Sequence, residues 1–227
     1  MTDCINDIFQ QGLILQAFQA EKNILIWQYI GDSKVFLESQ EKNIKQLFSF
    51  IQQSAQTNFI LSLGKLFDKP NNKYPTRCIL SFLKMLDTQS LERIEIIETT
   101  NTIKLLKEFN CPEQLIFSVT ANDKSLFPKL FASHFNQRYT GILLQEDIKT
   151  LKVMRDKVEA HNEATPSLYF DFDTAMRLLD FATEVITIFG MAYHSTIWKT
   201  DKFSFIRSNA KRNAFFVKAN IEALKSN

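Results

Sequence analysis

The sequence predicts an all-α protein, and three observations carry that expectation. Chain breakers are scarce: the 227 residues include only 5 Gly and 5 Pro, too few for the turn-rich connections of a β fold. Apolar residues recur at three- and four-residue spacing, as in Ile44, Leu47, Phe48, Ile51, Ala55, Phe59, Leu63 and Phe67, which is the period of one helix face. Hydrophobic residues make up 45% of the chain, with 21 Phe among them, enough to fill a core and to supply a buried interface between subunits. The expected architecture is a bundle of long antiparallel helices with short extra helices, built from two long helical hairpins.

The elements follow in order. Residues 3–30 form an apolar-rich helix. Gly31-Asp32-Ser33 breaks it and offers Ser33 as a new N-cap. One long amphipathic helix is expected from Val35 to Phe67, ending at the turn Asp68-Lys69-Pro70-Asn71-Asn72. Thr76 caps a shorter helix carrying Ile79, Phe82, Leu83 and Leu86. Another helix runs from about Ser90 to Phe109, and Asn110-Cys111-Pro112 breaks it. Residues 112–140, interrupted by Pro128, read as two small helices or loop that decorate the core. A helix then runs from about Leu144 to Asn162 or Glu163, stopped by Thr165-Pro166-Ser167. Asp171 or Asp173 caps the next, which carries Phe172, Met176, Leu179, Ile186, Phe189, Tyr193 and Ile197. A last amphipathic segment covers about Ser208 to Leu224. Without repeats, low-complexity tracts or a Gly/Ser linker, 1–227 reads as a single domain, with a core over about 35–200 and a basic helical tail over about 201–227.

The formal charge of +2 gives no support to a general nucleic-acid coat. Its distribution is uneven. From Lys199 to the end, seven Lys and Arg face Asp201 and Glu222, a surplus of five, which leaves the rest of the chain at −3. Within this tail Arg207, Lys211 and Arg212 are candidates to guide RNA; the same charges also describe a solvated helix face. Cys4, Cys78 and Cys111 are widely spaced, with no metal-ligand pattern, and read as reduced, mostly buried thiols. The opening MTDCINDIFQ lacks the basic region of a signal peptide, and no apolar run approaches the roughly 20 residues that cross a bilayer. The expected location is the cytoplasm, with no membrane partner.

The stretch Arg155-Asp156-Lys157-Val158-Glu159-Ala160-His161 carries the chemistry. Arginine grips a phosphate through two parallel hydrogen bonds. Histidine both takes and gives a proton near neutrality. On a helix the two side chains flank Val158, about 120° apart around the axis and about 9 Å apart along it. Ile148, Leu151, Arg155 and Val158 share an apolar stripe, so Arg155 emerges from a packed face and must be paired or poised over a cleft. Two copies of this helix meeting on a two-fold axis would gather both pairs around one cleft.

Arg155, the polar Asp156 and then His161 resemble the arginine–polar–spacer–histidine motif of the HEPN superfamily. The earlier stretch Phe59-Ile60-Leu61-Ser62-Leu63-Gly64-Lys65-Leu66-Phe67-Asp68, together with Arg155 to Glu163, is similar to the AbiU-type abortive-infection branch of that superfamily. The resemblance covers about 45–200. It implies an all-helical, often dimeric, HEPN-like domain. The implied activity is a metal-independent endoribonuclease of abortive-infection, toxin–antitoxin or other antiviral defence systems. RNA is the implied substrate, and a cognate antitoxin or another defence protein is a candidate partner. By matching position, Arg155 and His161 are the catalytic pair and Asp156 orients or polarises, with no metal or cofactor required. Asp68 closes the matched helix and is placed to pair with Arg155, its simpler role being to cap the amides of Asn71 or Asn72. Asn162 stands beside His161 as a supporting residue. Some members carry a tyrosine two residues after the histidine; here Glu163 stands there. The alternative is a non-catalytic helical module that binds RNA or a protein partner. His134, in an aromatic stretch, and His194, beside Tyr193, read as packing residues.

Overall fold

The computed structural model describes residues 3–71, 76–88, 95–123, 125–159, 171–194 and 205–226, apart from the side chains of 157–159 and 205–207. Every regular element among them is helical: the fold is all-α. The chain opens with α1 (Asp3–Asp7), a π-helical segment (Ile8–Ile14) and α2 (Leu15–Asp32), continuous with one another. Next come α3 (Lys34–Glu38), α4 (Lys42–Leu66), α5 (Ile79–Thr88), α6 (Thr99–Glu108) and α7 (Glu113–Ser118). The last four are α8 (Leu126–Tyr139), α9 (Ile142–Glu159), α10 (Phe172–His194) and α11 (Phe205–Ser226). No helix among the described residues is long and apolar enough to cross a membrane.

Two cores organise these helices. The main one gathers Ile5, Phe9 and Leu13 from the first elements, Phe59 and Leu63 from α4, Phe82 from α5 and Phe131 from α8, around α10. α10 is buried along nearly its whole length. The aromatic content is spent largely here: Phe9, Phe82, Phe131 and Phe189 lie within 6.0 Å of one another in ring-to-ring steps. A second, smaller core joins Ile26 and Ile30 of α2, Leu37 of α3, and Phe48 and Ala55 of α4 to Ala214, Val217 and Ile221 of α11. Spacings of three and four place these α11 residues on one face, which lies along α2.

Several boundaries differ from those expected. The helix expected over Val35–Phe67 is two helices. Ser39 Oγ donates to Phe36 O at 2.7 Å, closing α3, and Glu41 is extended with φ −52° and ψ 149°. A serine at a helix end competes for backbone acceptors in this way. Ser33 follows α2 as expected, but its side chain makes no capping hydrogen bond. Of the long apolar stripe, Leu47 is exposed while Phe48, Ala55, Phe59 and Leu63 are buried.

Thr76 does not cap α5. It staples the preceding turn instead, accepting from the Asn71 amide at 2.9 Å and donating to Lys69 O at 3.3 Å. The helix expected from Ser90 begins only at Thr99, where Glu98 accepts from the Asn101 amide at 3.2 Å. The residues just before it are non-helical, and Ile97 donates its amide to Ala192 O at 2.8 Å; residues 89–94 are not among those described. Asn110, with φ 54°, ends α6 as expected, asparagine being one of the few residues at ease in the left-handed region.

The largest correction concerns 112–140. Pro128 interrupts nothing, because it lies in the first turn of α8, where no intrahelical donor is needed. α8 is a core helix whose Phe127, Phe131 and Phe135 are fully buried. Asp171 caps α10, its carboxylate accepting from the Asp173 amide and the Thr174 hydroxyl, both at 3.3 Å.

Candidate functional site

The cleft at Arg155 is made where the end of α4 meets α9. On α9, Leu151 and Met154 face the core. Asp147 fixes the helix to α10 by a two-pronged ion pair with Arg177, at 2.9 and 2.8 Å. The Arg177 guanidinium also donates to Thr174 Oγ1 at 2.9 Å. Arg155 follows one residue after Met154, on the margin of this packed face.

Its stem crosses α4 at Gly64. A Cβ at that position would stand 2.8 Å from Arg155 Cδ and 3.4 Å from Cγ, so the glycine is what allows the side chain to lie there. A glycine inside a helix costs about 1 kcal/mol relative to alanine. Here it gives the arginine a bed.

The guanidinium reaches two carboxylates. Nη1 lies 3.5 Å from Asp68 Oδ1, and Nη2 donates to Asp156 Oδ1 at 3.2 Å. The arginine side chain is 23% exposed, against 44% for Asp68 and 54% for Asp156. The charge is therefore half sunk between two wetter partners. Asp68 also accepts from the Lys69 amide at 2.9 Å, while the Asn71 amide donates to Thr76 Oγ1 at 2.9 Å and Asn72 lies outside the described residues.

What holds Asp68 in place is the residue before it. Phe67 is the C-cap of α4 and is buried, with ring centroids 6.0 Å from Tyr139 and 6.2 Å from Phe181. Its carbonyl accepts from the Tyr139 hydroxyl at 3.3 Å. Burial pushes the Tyr139 phenol well above its ordinary range, with the charges of Cys78 and Asp68 adding to the shift. The hydroxyl therefore stays protonated as a donor. Gln145 in turn donates to Tyr139 O at 2.7 Å.

The result is a cavity of about 200 Å³ with an apolar floor of Phe67, Leu80, Ile148 and Leu151. Arg155, Lys152, Lys69 and Asp68 form its charged rim.

No family model, curated protein or solved structure matches the chain.

The chemistry open to the cleft follows from its own groups. A guanidinium at the rim of a small cavity, with two lysines beside it, suits an anion that enters from solvent. The carboxylates of Asp68 and Asp156 hold the planar fork in one orientation.

Of the residues singled out from the sequence, Arg155, Asp156 and Asp68 come together here. His161 and Asn162 lie outside the described residues, as does Glu163. Arg207 has no described side chain; Lys211 and Arg212 are exposed on α11. His134 is half-buried with its ring edge-on to Phe135, 5.0 Å between centroids. His194 stacks on Phe9 at 5.0 Å. Burial lowers the pKa of both, and in His134 the Arg138 charge adds to the effect.

The sequence reading missed Gly64, Tyr139, Lys69 and Lys152. Gly64 carried a usable signal: a lone glycine inside a strong helical run marks a close approach. The others carried none, because their place in the cleft depends on how α4, α8 and α9 pack.

Proposed function

We propose that the chain is a metal-independent endoribonuclease of the HEPN type, acting in an abortive-infection, toxin–antitoxin or related defence system. The observation that carries this reading is the position of Arg155, bedded on Gly64, paired with Asp68 and open to a cavity. The two segments that resemble the AbiU-type branch lie far apart in sequence, and they meet at this point.

In the proposed reaction the 2′-hydroxyl of RNA attacks the adjacent phosphorus. The new O2′–P bond forms as the P–O5′ bond breaks, leaving a 2′,3′-cyclic phosphate and a 5′-hydroxyl. His161 takes the proton from the nucleophile or returns one to the leaving oxygen. Arg155 stabilises the charge that builds on the phosphoryl oxygens. Asp156 and Asp68 orient the guanidinium. A homodimer would place two such pairs in a composite cleft, and a cognate antitoxin or another defence protein would restrain it.

The test is incubation of purified protein with total RNA in EDTA, beside Arg155→Ala and His161→Ala. Cleavage by the wild type alone, with cyclic-phosphate ends, is the expected result. Loss of cleavage in neither variant would assign the chemistry elsewhere. A folded wild type that binds RNA and never cuts it would favour a non-catalytic binding module. The two carboxylates already engaging Arg155 are the feature that favours this second reading.

A further inference from the structure

The Arg155 cavity does not end at Asp68. That residue also borders a second, polar cavity of about 460 Å³, walled by the π-helical segment, by Lys65 on α4, and by Thr76 and Arg77. Gln11, which lines this second cavity, also borders a third, of about 420 Å³, between the π-helical segment and α2 on one side and Asn209 and Asn213 of α11 on the other. Three cavities thus lie in series, the first two sharing Asp68 in their walls and the last two sharing Gln11.

The lining changes character along the series. Around Arg155 it is cationic. In the middle it offers the amides of Gln11 and Gln16 and the ammonium of Lys65, while Arg77 is held by Asp7 in a two-pronged ion pair at 2.8 and 3.0 Å. At the far end it offers amides above an aromatic and aliphatic floor of Phe18, Ile14 and Leu15. On α11, Asn209, Asn213, Phe216 and Asn220 recur at spacings of four, three and four, and so share one stripe. Phe216 is 60% exposed. By helical geometry Arg212 flanks this stripe, about 80° around the axis, while Lys211 lies about 180° away.

The middle of the series is also where the backbone departs from regularity. The π-helical turns of Ile8–Ile14 are a rare geometry that occurs disproportionately at functional sites. Gly12 permits a close approach there, since a Cβ would stand 2.6 Å from Arg77 Cβ and 2.9 Å from its carbonyl oxygen.

The geometry points to a path for single-stranded RNA that starts at Arg155, crosses the polar cavity between Lys65 and Gln11, and ends on the Asn/Phe stripe of α11. Unpaired RNA is recognised by this mixture: amides reading base edges, an aromatic face for stacking, and cations spaced along the backbone. The middle and far cavities, of about 460 and 420 Å³, fall within the range of about 300–1,000 Å³ typical of small-molecule sites, room for a nucleotide each. The smaller cavity at Arg155 has room for the phosphate. The inference rests on the ribonuclease reading for the chemistry at Arg155, and it assigns the substrate form and the residues that hold it.

The experiment measures binding of a fluorescent, fully 2′-O-methylated RNA octamer to the full chain by anisotropy. The methylated probe cannot be cut by 2′-hydroxyl attack, so binding is read separately from cleavage. Lys65→Ala, Gln11→Ala and Phe216→Ala alter exposed side chains, and Phe216→Ala is expected to weaken binding about tenfold. Lys65→Ala should weaken it several-fold and flatten its salt dependence. The octamer as a duplex should bind more weakly than the single strand.

Unchanged affinity in all three variants, or equal affinity for duplex and single strand, would overturn the path. Weakened probe binding without any RNA cleavage by the wild type would keep the path and remove the ribonuclease reading. Cleavage that depends on Arg155, with binding indifferent to all three substitutions, would do the reverse.

Discussion

Gly64 and Arg155 are in contact across the α4–α9 interface at a spacing that leaves no room for a methyl group, 2.8 Å from an added Cβ to Arg155 Cδ. The two residues act as one unit. Gly64→Ala should gain up to about 1 kcal/mol of helix propensity and lose a comparable amount by crowding the arginine stem. The melting temperature should therefore move little. The guanidinium must shift, and a misplacement of about 1 Å costs on the order of a hundredfold in rate. RNA cleavage and thermal melting, measured on the same preparation, check the prediction. A variant that cuts RNA at the wild-type rate would show that the position of Arg155 is immaterial.

Asp68→Asn separates charge from shape. Both partners of this ion pair reach solvent, so its loss should change stability by no more than about 1 kcal/mol. The guanidinium keeps Asp156 but loses its anchor just past the end of α4. The expected result is a fall in kcat of about tenfold, equivalent to about 1.4 kcal/mol, with KM nearly unchanged. A lower KM instead would mean that Asp68 competes with the substrate phosphate.

The ion pair between Arg138 and Glu184 is a matter of stability. The guanidinium meets both carboxylate oxygens, the second contact at 2.8 Å, and lies over the rings of Phe135 and Phe181 at 5.3 and 5.4 Å. The Glu184 side chain is only 9% exposed. Arg138→Ala leaves that charge buried without its partner. About 3 kcal/mol should be lost, the low end of the range for broken buried pairs, since Arg138 itself is partly solvated. Urea unfolding gives the value, and Arg138→Ala/Glu184→Gln should recover part of it.

Stability should fall on mild acidification. His134 and His194 have folded pKa values below the ordinary 6.5. In the window beneath about pH 6.5 the unfolded chain binds protons that the folded chain does not. Stability thus rises with pH through that window and is full above it. Unfolding free energies at pH 5.5 and 7.5 should differ in that direction. His134→Phe should reduce the difference; an unchanged difference would place its source elsewhere.

The thiols should react in two classes. Cys4 is exposed, whereas Cys78 and Cys111 are buried. Burial, helped by the Glu184 charge, pushes the Cys111 thiol up to about 11. At pH 8 a thiol reagent should label Cys4 within minutes and reach the other two only in denaturant. Fast labelling of all three in the native protein would contradict the packing around α8 and α10.

How much of this was legible in the sequence depends on the range of the forces involved. The all-α class and the ends of α4 and α6 follow from short-range periodicity and breakers; the expected end of α9 lies outside the described residues. The α4 end could be read because Phe67 and Asp68 change the pattern within two residues. Pro128 misled because a proline looks alike at the start of a helix and in its middle. The break at Ser39 was masked by an apolar pattern running across it. The π-helical segment left no trace, since the sequence from Ile8 to Ile14 also fits an ordinary helix. The meeting of Arg155 with Asp68 was reachable from the paired segments, but the cavity beneath them was not: Tyr139 and Leu80 arrive from helices with no local sign of belonging there.

Phe67 gives the cleft an unusual heredity. One side chain ends α4, fills the core beside Tyr139 and Phe181, and carries the peptide that presents Asp68. Variation at this position is felt by the fold before it is felt by the cleft. A lineage remodelling the cleft would have to do so from its rim, through Lys69 and Lys152, while its foundation stays fixed. The cleft can change its preferences by drift at the surface, but it cannot move house.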